Sequence, residues 1–421
     1  MENNKNDLRK FAPFLLTSSK NIAVRNLESI YSDNELLDFY PFEVSPDSKN
    51  QYDSKDNGGA EYLVIPSWKN PRFFVYNDKK LIQNIGNLIK PTSFKAKLAW
   101  KIALFLNRFN AIKLLFRNSI FIKTDNLGDL FLNENDQNKS KYVVYTGAIG
   151  IYQKWTVQEM NETNEIVSFA KIGRSKLSKE RILKEKNCLR FLSDVKFETF
   201  EIPKLIDFYQ KNEFCVIKQD ACNTDYSHVI SDFSSLHQKV LEELHLKLKK
   251  EVNTKKFIYS LHNEIEKITI DDIFVQSTVT LIKTNLSKIE SQLIKKEVLT
   301  FTFSHGDFTQ WNSFSNGSKL FVFDWEMGDY RMPLWDYFNF IYHSTFLVNN
   351  HNEKFLQKVI SQNQNWAKSL VGDTYSICHK IYLIEITIHY LQQYQELEQI
   401  GIENSVYELI SQFPKFLNHN F

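Results

Sequence analysis

His305-Gly306-Asp307-Phe308-Thr309-Gln310-Trp311-Asn312, followed after the apolar run Leu320-Phe321-Val322-Phe323 by Asp324-Trp325-Glu326, decides the reading of this chain. An Asp, an Asn five residues on and a second Asp behind a strand-like run suit phosphoryl transfer from a nucleotide. Such transfer needs little covalent help from the protein. One carboxylate aims the attacking hydroxyl, while an amide oxygen and a further carboxylate hold magnesium on the phosphates. Asp307 is the candidate catalytic base. Asn312 and Asp324 are the candidate metal ligands, since hard oxygen donors suit that ion. His305 reads as a loop-shaping hydrogen-bonding residue. The competing bland reading, an Asp in a turn and an Asp-Trp-Glu at the surface, is ordinary for each motif alone. It is far less so for both in this order. The strand-like stretches Val298–Phe303 and Lys319–Phe323 lead into the two motifs across a turn at Asn316-Gly317, which predicts a hairpin setting.

Kinase-like enzymes carry H-R-D-x-x-x-x-N and D-F-G at these places. Here Gly306 stands for the Arg and Asp-Trp-Glu for D-F-G. In both departures the sequence resembles the aminoglycoside phosphotransferase and choline kinase group over roughly residues 140 to 415. The resemblance implies an α+β, bilobal protein-kinase-like fold with a β-rich small lobe and a helical large lobe. It implies an ATP- and Mg2+-dependent phosphotransferase acting on a small-molecule hydroxyl substrate. Asp336, in Pro333-Leu-Trp-Asp336, matches a P-x-x-D segment of that group and is expected to support the loop.

Upstream, Ile166-Val-Ser-Phe-Ala-Lys171-Ile is an apolar run ending in a lysine that resembles the V-A-I-K strand. The helical spacing of Ile182, Leu183, Leu189 and Leu192 follows it. Glu185 on that helix is expected to pair with Lys171, with Glu180 the alternative. Gly147 and Gly150, in Tyr142–Tyr152, are candidates for a phosphate-covering hairpin, though two glycines match G-x-G-x-x-G poorly and an ordinary turn reads equally well. Phe214–Asp220 reads as the last strand before a nucleotide hinge.

The chain has 421 residues, 43% of them apolar, and a formal net charge of only +2, so no nucleic-acid footprint is expected. Cys188, Cys215, Cys222 and Cys378 have no metal spacing and read as thiols of a reducing compartment. With no apolar leader and no run long enough to span a bilayer, a cytoplasmic location is expected. Three regions are expected: an accessory region 1–140, a nucleotide-binding lobe 141–222 and a helical catalytic and substrate-binding lobe 223–421. Glu61–Ile65 and Arg72–Tyr76 read as short strands within the first, after a polar linker at 45–59.

Between Lys79 and Thr124 there are ten Lys or Arg and no Asp or Glu. Residues 93–117 form a basic helical pattern in which Leu98, Ile102, Phe105, Phe109, Ile112 and Phe116 make one stripe. A stripe facing a core and a stripe on an anionic membrane both fit, so peripheral membrane contact is one expectation. Only eight residues separate Asp324 from Pro333, and no A-P-E follows. The short connection favours a small substrate over a protein. A non-catalytic nucleotide-binding scaffold of the same fold is the alternative, to which a poor glycine loop would point.

Overall fold

The computed structural model describes residues 59–65, 73–76, 94–116, 119–123, 141–146, 152–211, 214–222, 226, 228–293, 295–348, 352–399 and 406–418. It divides into two compact units: residues 1–186 with 203–223, and residues 187–202 with 224–421. Gly147 and Gly150 lie outside the described residues, as does the linker at 45–58.

The first unit is built on one sheet. Its strands are β1 (Gly59–Ile65), β2 (Phe73–Tyr76), β3 (Ser119–Lys123), β4 (Lys141–Tyr145), β5 (Lys154–Met160), β6 (Ile166–Gly173), β8 (Leu205–Lys211) and β9 (Phe214–Asp220). They run in the order β3-β1-β2-β4-β5-β6-β9-β8. The two strands expected at 61–65 and 72–76 pair antiparallel, and β2 then pairs with β4. The expected accessory region and nucleotide lobe therefore share a single hydrogen-bonded sheet.

Buried apolar clusters lie on both faces of the strands β1, β2, β4 and β5. Along β1, Tyr62 and Val64 join a cluster with Tyr142, Trp155, Val157, Ala170, Ile172 and Val216. Leu63 and Ile65 join the opposite cluster with Val75, Val143 and Met160. Tyr209 of β8 packs on the same cluster as Tyr142 of β4, although three strands separate β8 from β4 in the sheet. The sheet is thus rolled about that core, as its right-handed twist favours.

The basic stretch forms helix α1 (Phe94–Arg108) and a 3-10 turn at Ile112–Leu114. Only Ala103 and Ile112 of this segment enter the second cluster fully, with Trp100 half-buried against it. The core-facing reading of the stripe holds for Ile112 and Phe116, which pack on that cluster, and is corrected for Leu98, Ile102, Phe105 and Phe109, which are exposed. The physical reason is rotation about the helix axis. Trp100 and Ala103 of the helix turn towards the sheet, with Ile112, Leu115 and Phe116 after it, and Leu98, Ile102, Phe105 and Phe109 turn away. Helix α2 (Lys176–Ser193) begins in this unit and buries Ile182 at its start.

The second unit is mainly helical, with α3 (Ser235–Lys247), α4 (Thr254–Glu266), α5 (Ile273–Leu293), α6 (Trp335–His343), α7 (Glu353–Val371), α8 (Tyr375–Gln399) and α9 (Val406–Gln412). Two three-stranded sheets accompany them. In one, β11 (Val298–Ser304) lies between β10 (Lys249–Asn253) and β14 (Asp329–Arg331). In the other, β13 (Leu320–Val322) lies between β12 (Ser313–Ser315) and β7 (Phe200–Glu201). The hairpin expected between the two motif-bearing strands is therefore differently composed. β11 does not pair with β13, and the Asn316-Gly317 turn joins β12 to β13. Asn316 Oδ1 accepts from the Ser318 and Lys319 N–H groups at 2.9 and 2.8 Å, and Gly317 takes φ +92°, which glycine tolerates without steric cost. Among the described residues no helix is long and apolar enough to cross a membrane.

Candidate active site

Strand β11 ends at Ser304, and its buried apolar alternation delivers His305 into the interior of the second unit. The loop 305–312 then doubles back into β12. What pins it is Asp336, at the first turn of α6. Its two carboxylate oxygens accept from the His305 N–H at 2.7 Å and the Gly306 N–H at 2.9 Å. Burial pushes the Asp336 carboxyl up to about 6, and the Gly306 and His305 amides and nearby Arg331 pull against that.

Gly306 has φ +85°. A Cβ there would stand 2.4 Å from the Met327 carbonyl oxygen and 2.8 Å from Arg331 Nη1. This explains glycine in place of a larger residue between His305 and Asp307: the loop backbone passes against the segment that follows the second motif.

His305 ties the two motifs together. Its Nε2 lies 2.8 Å from the Phe323 carbonyl, and its Nδ1 lies 3.2 Å from the Asp307 N–H. A carbonyl can only accept and an amide N–H can only donate, so the proton sits on Nε2. Phe323 N–H donates to the Asn312 carbonyl at 3.1 Å, continuing the β12–β13 ladder. That ladder sets Asn312 opposite Phe323 and so beside Asp324. The loop-shaping role expected of His305 matches this geometry.

Asn312 is buried and donates through Nδ2 to the Asp307 carboxylate at 3.0 Å and to the Asp307 carbonyl at 2.8 Å. Asn339 on α6 adds longer contacts, 3.5 Å to Asp307 Oδ1 and 3.4 Å to the Phe308 carbonyl. Burial pushes the Asp307 carboxyl up to about 6. His305 opposes this, the Asp324 carboxylate adds to it, and hydrogen bonds from Asn312 and Asn339 oppose it. Asp307 and Asp324 are thus near enough to repel each other.

Asp324 itself sits at φ 71°, in the left-handed region. For a residue other than glycine this conformation costs free energy and collects at functional positions. Trp325 makes the cost bearable. Its ring is fully buried, its Nε1 donates to the Val322 carbonyl at 2.9 Å, and its centroid lies 4.6 Å from that of His305. The tryptophan that replaces phenylalanine in D-F-G is therefore the anchor of Asp324.

Within the first unit, Lys171 Nζ meets both oxygens of Glu185, at 2.6 and 2.8 Å. Glu185 is fully buried and also accepts from Gln219 Nε2 at 2.9 Å. Glu180, the alternative partner, is exposed and borders a surface recess with Lys176 and Gln210. Residue pairing in the sheet explains the ion pair. Lys171 lies opposite Thr156 on β5 and Ile217 on β9, on the sheet face that alternation assigns to Gln219.

Of the residues expected from sequence, Asp307 is joined to Asn312, Lys171 to Glu185, and Asp336 to the 305–306 backbone, while Asn339 and Gln219, which contact these groups, were not expected. Asn339 had a legible signal, being three residues after Asp336 and so on the same helix face. Gln219 had none, because its partner is thirty-four positions away.

The donor set fits magnesium. Both metal-ligand candidates offer oxygen, and because Asn312 turns its Nδ2 to Asp307, its Oδ1 is the atom left to face a cation.

No family model matches the sequence, and no curated protein matches it. Solved structures do. A complex of APH(2'')-IIIa with GDP and kanamycin is 14% identical, with a TM-score of 0.46 over 70% of this chain and 99% of that one. An ADP-bound aminoglycoside phosphotransferase, APH(2'')-Ib, is 16% identical, with a TM-score of 0.41 over 70% and 98%. An amicoumacin kinase with AMP-PNP and Ca2+ is 11% identical, with a TM-score of 0.40 over 65% and 87%. Likeness at this level leaves the chemistry to rest on the residues just described. In structure the chain is similar to solved aminoglycoside and antibiotic phosphotransferases.

Proposed function

We propose that the chain is an ATP- and magnesium-dependent phosphotransferase that phosphorylates a hydroxyl of a small molecule. The observation that carries this reading is the joint fixation of Asp307 and Asn312, hydrogen-bonded to each other and tied through His305 to the strand that presents Asp324.

In the proposed reaction the acceptor hydroxyl donates a hydrogen bond to the Asp307 carboxylate. Its oxygen attacks the terminal phosphorus of ATP. A new P–O bond forms as the bond to the β-phosphate oxygen breaks, ADP leaves, and the hydroxyl proton passes to Asp307. Because the transition state is loose, orientation by Asp307 counts for more than its basicity. Asn312 and Asp324 would hold Mg2+, which supplies neutralisation of phosphate charge. Lys171, oriented by Glu185, would pair with phosphate oxygens of the nucleotide. The short Asp324-to-Pro333 connection supports a small acceptor over a peptide.

The test is ADP release by the purified full chain with Mg2+, ATP and pooled sugars, amino alcohols and aminoglycosides. Turnover above the level of Asp307→Ala supports the proposal. Magnesium-dependent nucleotide binding with no turnover on any pool would instead favour a nucleotide-binding scaffold.

A further inference from the structure

His343 ends α6, and its buried ring joins that helix to α8. Its Nδ1 lies 2.8 Å from the Asn339 carbonyl and its Nε2 lies 2.7 Å from the Tyr390 hydroxyl. A carbonyl only accepts, so Nδ1 carries a proton. Burial pushes the imidazole down to about 4, and the bond to the Asn339 carbonyl opposes this only in part. The ring is therefore neutral near pH 7, and Nε2 bears a lone pair. Tyr390 must donate its one proton there. What remains on the phenol oxygen is acceptor capacity alone.

Tyr390 stands beside the candidate base. Asn339, whose carbonyl fixes His343, turns its Nδ2 to Asp307 Oδ1 at 3.5 Å. Burial raises the Tyr390 hydroxyl, and the nearby Asp307 carboxylate raises it further, so the phenol stays neutral. Its ring stacks on Phe413, with centroids 5.6 Å apart and planes 22° apart, yet the residue is only half-buried. A fixed oxygen that can only accept, close to the group that aims the reacting hydroxyl, suits one kind of ligand atom: an O–H or N–H donor.

We propose that Tyr390 selects the acceptor, its oxygen taking a hydrogen bond from an O–H or N–H group of the acceptor molecule near the hydroxyl that Asp307 orients. The substrate class is then a diol, a sugar or a primary or secondary amino alcohol. Monohydric alcohols and quaternary ammonium alcohols lack that hydrogen and fit poorly. The proposal deepens the phosphotransfer reading and rests on it.

The test has a part that needs no acceptor. Nitrogen-15 histidine spectra of the full chain, with His343 assigned by its loss in His343→Gln, are expected to show the Nδ1–H tautomer from about pH 6 to 8. The Nε2–H tautomer or an imidazolium would overturn the proposal and leave phosphotransfer standing. Steady-state assays with ATP and Mg2+ then compare vicinal diols, sugars and primary amino alcohols with propanol and choline. The first set is expected to be favoured by roughly tenfold or more in kcat/KM. Tyr390→Phe keeps the ring and removes the oxygen. It is expected to raise the acceptor KM by roughly tenfold, with the KM for ATP unchanged and the preference gone. A contact that merely ties α6 to α8 would lower the melting temperature and leave acceptor preference as it was. Equal use of both sets by the wild type, or a wild-type acceptor KM in the folded variant, would overturn the proposal alone. Turnover on neither set would overturn it together with the reading on which it rests. Should Tyr390→Phe fail to fold, the tautomer and the wild-type preference still decide.

Discussion

Asn312 spends its amide nitrogen on Asp307, donating to the carboxylate at 3.0 Å and to the main-chain carbonyl at 2.8 Å. One side chain therefore closes the five-residue loop, and in the proposed site its oxygen would face Mg2+. This explains the spacing of the motif. Five positions bring the amide back over the backbone it must satisfy, and a buried carbonyl without that donor would cost about 1–3 kcal/mol.

Asp307→Asn separates chemistry from stability. Turnover should fall by roughly a thousandfold or more, since orientation of the acceptor is lost, while magnesium-dependent nucleotide binding remains. The folded Asp307 carboxyl is raised from 3.8 to about 6, so between these values the folded chain holds a proton that the unfolded chain has released. Its contribution to stability is present below the unfolded value and lost as pH rises through about 6. Replacing it should therefore raise stability at pH 7.5 by about 1–2 kcal/mol after a discount for solvent screening, seen as a higher melting temperature. The gain should vanish near pH 4. Melting of both proteins across this range checks the sign; a constant difference would count against a buried carboxylate.

Gly306→Ala should disrupt the loop. The added Cβ would lie 2.4 Å from the Met327 carbonyl, at a φ of +85°. Backbone must move, and a loss of about 3 kcal/mol or more is expected from strain and overpacking. Urea unfolding measures it. A wild-type midpoint would show that the approach of the two segments is loose.

Asp336→Ala should cost roughly 2–5 kcal/mol, because two buried N–H groups lose their acceptors. Asp336→Asn retains one acceptor and should lie between. Because the residue acts through the loop that holds Asp307, the Asn variant should weaken magnesium-dependent nucleotide binding while staying folded. Calorimetric titration with the nucleotide and Mg2+ reads this directly.

The Lys171–Glu185 pair calls for a double-mutant cycle. Lys171→Met leaves a fully buried carboxylate without its cation and should cost about 3–5 kcal/mol. Lys171→Met with Glu185→Leu removes both charges and should recover much of that loss, while nucleotide affinity stays low. Additive stability effects in the cycle would mean that the two side chains do not depend on each other.

Much of the candidate site was legible in order of residues alone. Asp307, Asn312 and Asp324 carry their chemistry in residue type and spacing, and the helix with Glu185 announces itself through Ile182, Leu189 and Leu192. The strands 249–253 and 329–331 went unread, because their short patterns acquire meaning only against β11; the helix 254–266 also went unread, although Phe257, Ile258, Leu261 and Ile265 stand at helical spacing.

By itself, the amino-acid order determined the local elements and the donor atoms, since periodicity and side-chain chemistry are properties of neighbours along the chain. Tertiary structure alone decided which strand pairs with which, why position 306 must lack a Cβ, that Gln219 would support Glu185, and which side of α1 faces water. Each of these depends on contacts between residues far apart in sequence, and on how a helix is rotated about its axis. Pattern along the chain lists the apolar side chains but leaves that rotation open, and here Trp100 and Ala103 face the sheet cluster while Phe105 and Phe109 do not.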